Sequence, residues 1–524
     1  MVLATRRKTA GIIIALLISA MFMSIIGVAG QNIGEQYSGG PDIAHLVRMS
    51  VIQAGLSTIL SLISGIAIAW ALNRLDFYGR SLIVSLFGAA IVAPGLVVAF
   101  GLISVWGRSG WIAGLFSLSG LRWEVNIFGL GGILFAHTIL NGAFAARILL
   151  ARLDAIAAAK LKIGRSLALS PLERFHHLDW PAISGALPAL GAIIFLLAFT
   201  SFPIVLLLGG GPANQTLEVA IFAAVRLDFD LNAAVQLSLV QLLLTAFFVL
   251  PALVATPSLA SAGSTKEQIW SDGALVTMVQ IIVLTLGVLG FGLPLLAVII
   301  DGFGPSIAAT MASRNFWQAA ITSLLIGSTS AVLTLVLAIV LAMARSNIAN
   351  SFWRAVFGLP LFAYLVIPGV VLSLGFFLLA RALNLHGAWV APLVLILANT
   401  LLALPFAFSS LAPSLGAINR RYNRLCRSLD LSGMTRWRFV EWPLLGNEIG
   451  IALALGFGFS LGDLAVISLF GTNSFTTLPW AMYRALGAYR SNEAATIAAF
   501  MLVLSMAMFW LLPKLFQRWS DADN

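Results

Sequence analysis

Long apolar runs dominate the chain, separated by short polar stretches. A helix rising 1.5 Å per residue needs about 20 apolar residues to cross the hydrocarbon core of a bilayer. Stretches of that kind lie near residues 11–30, 51–73, 82–106, 127–150, 182–208, 231–255, 275–300, 317–344, 353–380, 389–412, 445–470 and 494–513. They predict twelve spans. Only helices and closed barrels satisfy their backbone in lipid, and these runs are too long and too continuously apolar for barrel strands. The pattern therefore predicts an all-α polytopic membrane protein.

One polar stretch occurs twice. Residues 162–181 read KIGRSLALSPLERFHHLDWP and residues 424–443 read RLCRSLDLSGMTRWRFVEWP. They align without a gap. Arg165/Arg427, Ser166/Ser428, Leu167/Leu429, Leu169/Leu431, Ser170/Ser432, Arg174/Arg436, Trp180/Trp442 and Pro181/Pro443 are identical. The offset is 262 residues (427 minus 165), half of the 524-residue chain. At the same offset the preceding runs share Ala136/Ala398, Thr138/Thr400, Leu140/Leu402, Phe144/Phe406 and Ala145/Ala407. Residues 256–274 carry small and polar side chains and read as a cytoplasmic linker. Dividing there gives halves 1–255 and 275–524 with six expected spans each. The halves then share one orientation, a parallel repeat about an axis along the membrane normal.

Composition agrees. Hydrophobic residues make up 60% and charged residues 10% of the chain, against about 25% charged in soluble proteins. The net charge of +10 reflects basic loops on the cytoplasmic side, and no nucleic-acid partner is expected. With the N-terminus inside, 22 of the 30 Lys and Arg fall on the cytoplasmic side and eight opposite. This predicts cytoplasmic N- and C-termini, with membrane lipid as the main surrounding. Arg6, Arg7 and Lys8 before the first run resemble a signal-peptide start, but the run exceeds a typical h-region, and an uncleaved first helix is expected. A single cysteine, Cys426, excludes an intrachain disulfide and any CxxC metal site; no metal site is expected.

The repeated loops are too polar to enter lipid. Ser166 and Ser170 suit caps or turns, and Pro171 and Gly433 suit a turn at the same position. Trp180-Pro181 and Trp442-Pro443 suit the interface and the first turn of the next span. A short helix, a turn and a second short helix are expected, projecting twice from one face. An ordinary basic surface loop and a DNA-reading helix-turn-helix explain the repetition less well.

Within the spans, Pro94-Gly95 and Pro368-Gly369 break helices at matching places, because proline lacks a donor and glycine disfavours helix. A packing kink and a bend lining the translocation path both fit. Asp463, in FSLGDLAVISLF, is the clearest intramembrane charge, and such a carboxylate faces a cavity or a partner. His137, Asn141 and Asn399 suit hydrogen bonds between helices. Glu218, Arg484 and Arg490 fall in expected external loops, where docking of a second protein and simple solvation both fit. The chain has no GxxxxGK[ST] phosphate loop and no catalytic constellation, so it is expected not to be an enzyme.

The twin loops resemble the EAA loops of binding-protein-dependent ABC importer permeases of type I. Pro181 and Pro443 match the motif's proline. Lys162-Ile163-Gly164 and Arg424-Leu425-Cys426 stand at its Glu-Ala-Ala positions, and Ala168 and Asp430 at its glycine. The stretches 104–111 (SVWGRSGW), 208–212 (LGGGP), 216–221 (TLEVAI), 462–463 (GD), 475–479 (FTTLP) and 489–491 (YRS) are similar to the thiamine-type fused double permeases. The resemblance implies a type I permease core over about 45–255 and again over about 316–512. It also implies a place in a bacterial inner membrane. Two copies of a cytoplasmic ATPase, holding ATP and Mg²⁺, would dock on Arg165, Ser166, Leu167, Ala168, Ser170 and Pro181. Arg427, Ser428, Leu429, Asp430, Ser432 and Pro443 would serve likewise. A periplasmic thiamine-type binding protein would deliver the solute, and the chain itself would hold no cofactor. A ferric-iron or other small-cation permease and a twelve-helix secondary transporter are the alternatives.

Overall fold

The computed structural model describes residues 2–31, 42–120, 125–254, 272–348 and 350–522. Helices account for nearly all of it, and no strand occurs among the described residues. The first half runs α1 (Val2–Gln31), α2 (Ile43–Arg74), α3 (Arg80–Gly88), α4 (Gly95–Trp106), α5 (Trp111–Leu118), α6 (Leu130–Asp154), α7 (Ala158–Ser166), α8 (Pro171–Arg174), α9 (Trp180–Ser184), α10 (Leu187–Phe199), α11 (Phe202–Leu208), α12 (Leu217–Arg226) and α13 (Leu231–Val254). The second runs α14 (Ala274–Gly302), α15 (Ile307–Ala312), α16 (Arg314–Ser346), α17 (Ser351–Val366), α18 (Gly369–Ala382), α19 (Val390–Ser428), α20 (Gly433–Arg436), α21 (Trp442–Gly462), α22 (Ala465–Phe470), α23 (Leu478–Gly487) and α24 (Ser491–Ala522). Most of the 256–274 linker and Arg122 lie outside the described residues.

Among the described residues, nine helical segments are long and apolar enough to cross a membrane. The bent pair Pro171–Ser184 and Leu187–Phe199, kinked by 59°, makes ten. The remaining two expected segments, 353–380 and 11–30, are not among these ten. In 353–380 the chain turns extended at Ile367 and Pro368, leaving helices of 16 and 14 residues. Segment 11–30 lies within α1, one continuous helix of 30 residues.

The halves embrace. α1 packs on α16, α17 and α18, and α14 packs on α2 and α4. Tyr364 donates its hydroxyl to the Ile18 carbonyl at 3.0 Å across this exchange. Gly101 of α4 lies so near α14 that a Cβ there would stand 2.4 Å from the Pro294 carbonyl oxygen. In each half two short helices follow the one after the polar loop, α11 and α12 in the first and α22 and α23 in the second, and the later of each pair is anchored at its start. There the N–H of Leu217 donates to Ser50 Oγ at 3.0 Å, and that of Leu478 to Ser323 Oγ at 2.8 Å. The same hydrogen bond thus anchors α12 to α2 and α23 to α16.

Candidate functional site

Both polar loops begin as helix and stop at the same point. Ala168 and Asp430 take left-handed backbone, φ 50° in each. The following N–H reaches back five residues to close the helix, Leu169 to the Gly164 carbonyl at 3.3 Å and Leu431 to the Cys426 carbonyl at 2.8 Å. This is the Schellman ending, for which glycine is the usual left-handed residue. After Ser170 a capping box starts α8: its Oγ accepts from Glu173 N–H at 3.4 Å, and Glu173 Oε2 accepts from Ser170 N–H at 2.8 Å. Those bonds hold the exposed Glu173 carboxyl below its ordinary value. Ser432 has no such side-chain cap.

Each loop then widens into a π turn, Phe175–Asp179 and Trp437–Glu441. The N–H groups of Trp180 and Trp442 donate five residues back, to Phe175 and Trp437. Pro181 and Pro443 follow at once. Their missing N–H leaves the ordinary i−4 bond unmade, which permits the wider turn. Buried carboxylates end both turns. Asp179 pairs with Arg74 of α2, both side chains 2% exposed. Glu441 takes Arg436 Nε at 2.8 Å. Arg436 also donates to Asn419 and Asn423 of α19. Arg174, its counterpart, reaches Asp272 at the described end of the linker, 3.5 Å away. Arg74–Asp179 ties the first loop to its own half and Arg174–Asp272 joins it to the entry of α14, while Arg436–Glu441 braces the second loop internally and Arg436 ties it to α19 through the two asparagines.

The loops differ at their entry. Asp154 accepts from Asn73 at 2.8 Å and pairs with Arg80 at 3.3 Å, which pins the end of α6, and α7 starts afresh. The matching residue is Gly416, with no side chain to pin, and α19 runs unbroken into the loop. The expected separate first helix is therefore present only in the first loop.

What the loops expose is duplicated. Ile163, Leu167 and Leu172 stand out of the first, Leu425, Leu429 and Met434 out of the second, all at the 262-residue offset. Arg165, Ser166, Ala168 and Ser170 are exposed beside the first triad, and Arg427, Ser428, Asp430 and Ser432 beside the second. Pro181 is exposed and Pro443 half-buried at the loop exits. The sequence reading named Leu167 and Leu429 as docking residues; Ile163 and Leu172, with Leu425 and Met434, escaped it as such, because the paired residues differ in identity.

The intramembrane candidates gather where the halves meet. Pro94 and Pro368 are both extended residues that open α4 and α18, with ψ 133° and 151°. In each step the proline is buried and the glycine half-buried. A Cβ on Gly462 would stand 3.5 Å from Pro94 Cβ, so the first break touches the residue before Asp463. A Cβ on Gly369 would stand 3.0 Å from Ala465 Cβ, two residues beyond Asp463. Asp463 itself caps α22: its Oδ1 accepts from Val466 N–H at 3.0 Å, while Oδ2 has no hydrogen-bond partner. His137 Nδ1 faces Gln53 at 2.8 Å and Ser57 at 3.0 Å, and Asn399 donates to Ser460 Oγ at 2.9 Å, both between helices.

On the opposite face one candidate is corrected. Glu218 is not an external docking residue: it is 1% exposed in the first turn of α12. An apolar helix face packed against both halves encloses it. Arg484 and Arg490 are exposed, Arg490 paired with Glu493 at 2.8 Å. Phe229 and Tyr489, neither of them a site candidate in the sequence, end the turns before α13 and α24. Both have left-handed backbone, φ 54° and 59°, and are 82% and 95% exposed. Their signal was a repeat too short to see: FDLNAA beside YRSNEAA.

Two parallel helical halves, with broken spans meeting between them and a twin loop on one face, define a membrane transport permease. Known proteins narrow the class. The chain is 35% identical over 486 residues to the thiamine transport system permease protein ThiP of Salmonella typhimurium, covering 91% of this chain and 90% of that one. It is 34% identical over 519 residues to the protein of that name from Brucella melitensis, covering 98% and 95%. An Fe(3+)-transport system permease protein of Haemophilus influenzae is 26% identical over 496 residues, covering 90% of each. No protein-family model matches the chain. The chain belongs to the thiamine transport system permease family, a family of multi-pass membrane transport subunits.

Proposed function

We propose that this chain is the permease subunit of an ATP-driven ABC importer that carries thiamine, or its phosphates, from periplasm to cytoplasm. Twelve crossings with both termini cytoplasmic place the twin loops inside. Two copies of a separate ATPase, holding ATP and Mg²⁺, dock on them, and a periplasmic binding protein delivers solute to the other face. The observation that carries this reading is the duplicated apolar triad, Ile163–Leu167–Leu172 and Leu425–Leu429–Met434, presented on short helical knobs. Exposed apolar side chains on a helix fit a partner's groove.

Closure of the ATPase pair on ATP would push both knobs. The buried Arg74–Asp179 pair, and the bonds from Arg436 to Asn419 and Asn423 of α19, pass that push into the span-forming helices. The halves then rock about the Pro94 and Pro368 breaks, a rigid-body alternation. Thiamine is a cation, and the unpaired Oδ2 of Asp463 beside Pro94 eases its passage. The 26% relative leaves ferric iron as the weaker cargo reading.

The test is crosslinking in intact cells from Ser170→Cys and Ser432→Cys. The native Cys426 is buried and does not compete. Capture of an ATPase at both positions is expected, and Leu167→Asp with Leu429→Asp should abolish both capture and thiamine uptake. No ATPase at either position would end the reading. Thiamine-stimulated ATP hydrolysis with the cognate binding protein separates thiamine from iron.

A further inference from the structure

A cavity of about 870 Å³ opens between the halves, beside the last turns of α6. Cavities of roughly 300–1,000 Å³ hold ligands of drug size. One wall is α3 and the turn after it, a second is α6, and a third is α24 with Asn447 of α21. The walls are largely apolar, with Leu86, Val92, Ile148, Met506 and Phe509 among them. Three cations stand in them, Arg147 and Arg152 on α6 and Lys514 on α24, and no carboxylate does. Arg147 is half-buried, and no carboxylate pairs with it among the described residues. Lys514 stands 3.8 Å over the Trp510 ring, which suits a membrane interface.

The repeat makes these cations informative. The residues matching Arg147 and Arg152 are Ser409 and Ser414. Ser409 bonds its own helix at Pro405, and Ser414 bonds Glu448. A charge set serving the stroke shared by both halves would be needed twice; this one occurs once. A charged side chain among apolar walls is costly unless an opposite charge meets it, so Arg147, with no carboxylate beside it, calls for an anion. A long apolar wall rising from the cations calls for an acyl chain.

We propose that this cavity binds an anionic phospholipid. The phosphate sits between Arg147 and Lys514, and an acyl chain lies along Val92 and Phe509. Basic pockets between spans on the cytoplasmic side are suited to such headgroups.

The test uses the full chain purified in detergent and mixed with phosphatidylglycerol or phosphatidylcholine, with retained lipid read by native mass spectrometry. Retention of phosphatidylglycerol roughly tenfold above phosphatidylcholine is expected, falling to parity in Arg147→Ala/Lys514→Ala. Gly88 lines the cavity, and a Cβ there meets nothing within 4 Å. Gly88→Phe therefore fills the space without a backbone clash. It should remove the lipid at unchanged Tm, and it decides the matter if the double variant does not fold. Equal retention of the two lipids, or full retention in Gly88→Phe, overturns the proposal. So does displacement of phosphatidylglycerol by millimolar glycerol 3-phosphate, which would make free phosphate the ligand. None of these readouts involves uptake, so their failure leaves the transport reading standing.

Discussion

Ala168 and Asp430 occupy the same place in two loops and the same left-handed backbone, φ 50° in each. An L-residue pays roughly 1–2 kcal/mol for that conformation, and Asp less than Ala. The geometry favours glycine here: the helix must stop, and the chain must reverse toward Ser170 or Ser432. Ala168→Gly should stabilise the first loop by up to about 1 kcal/mol after the entropy of the unfolded glycine is counted. Asp430→Gly should give a few tenths, and Ala168→Val should destabilise. Limited proteolysis of the loops, rated against wild type, reads the order. Equal cleavage of Ala168→Gly and Ala168→Val would show that the turn does not limit loop opening.

The Arg74–Asp179 pair ties the first loop to α2 with both side chains 2% exposed. Removing one partner of a buried pair costs about 3–5 kcal/mol, because the other charge is stranded. Arg74→Met should therefore lower thermal stability sharply. Arg74→Met/Asp179→Leu should regain most of it, since well-packed apolar pairs replace buried ion pairs at little cost. If uptake stays low in the refolded double variant, the pair transmits force as well as holding the fold. A double variant as unstable as the single one would show that other partners of these residues dominate.

Much of this was legible in the sequence. Apolar length gave the all-α membrane body, and the 162–181/424–443 repeat gave its halves and loops. The Pro94 and Pro368 breaks followed from local chemistry, a missing donor beside a glycine. Other features were not legible, because they depend on partners distant in the chain. Glu218 reads as a loop charge until α12 folds inward. Asp463 reads as a free intramembrane acid until α22 presents its N–H groups. Asp154 and Gly416 look unremarkable, yet they decide whether a helix ends or runs on. Left-handed backbone at Ala168, Phe229 and Tyr489 carries no local sign, since none of the three is glycine.

Glu218 lies outside the candidate spans, and burial pushes its carboxyl from 4.5 up to about 8, only partly offset by the Phe202 backbone amide. Between those values the folded chain keeps a proton that the unfolded chain has released. Stability should therefore fall as pH rises from 4.5 to about 8 and level off above. Glu218→Gln should flatten that slope, matching wild type near the low end and exceeding it by on the order of a few kcal/mol at the high end. Melting curves across this range in one detergent check it. Parallel loss of Tm in both proteins would assign the pH dependence elsewhere.

Phe229 and Tyr489 combine two costs: aromatic residues in left-handed backbone, and large rings left almost wholly exposed. Strain of this kind, about 1–3 kcal/mol per residue, persists where a site uses it. The two rings stand on the face opposite the twin loops, one per half, where the proposed binding protein would dock. Phe229→Gly/Tyr489→Gly relieves the strain and removes the rings. It should raise Tm while lowering binding-protein-stimulated ATP hydrolysis roughly tenfold, with basal hydrolysis unchanged. Charge reversal at Arg484 and Arg490, exposed on the same face, should act in the same direction by slowing association. A glycine variant that melts higher and still responds fully to the binding protein would remove both rings from the docking surface.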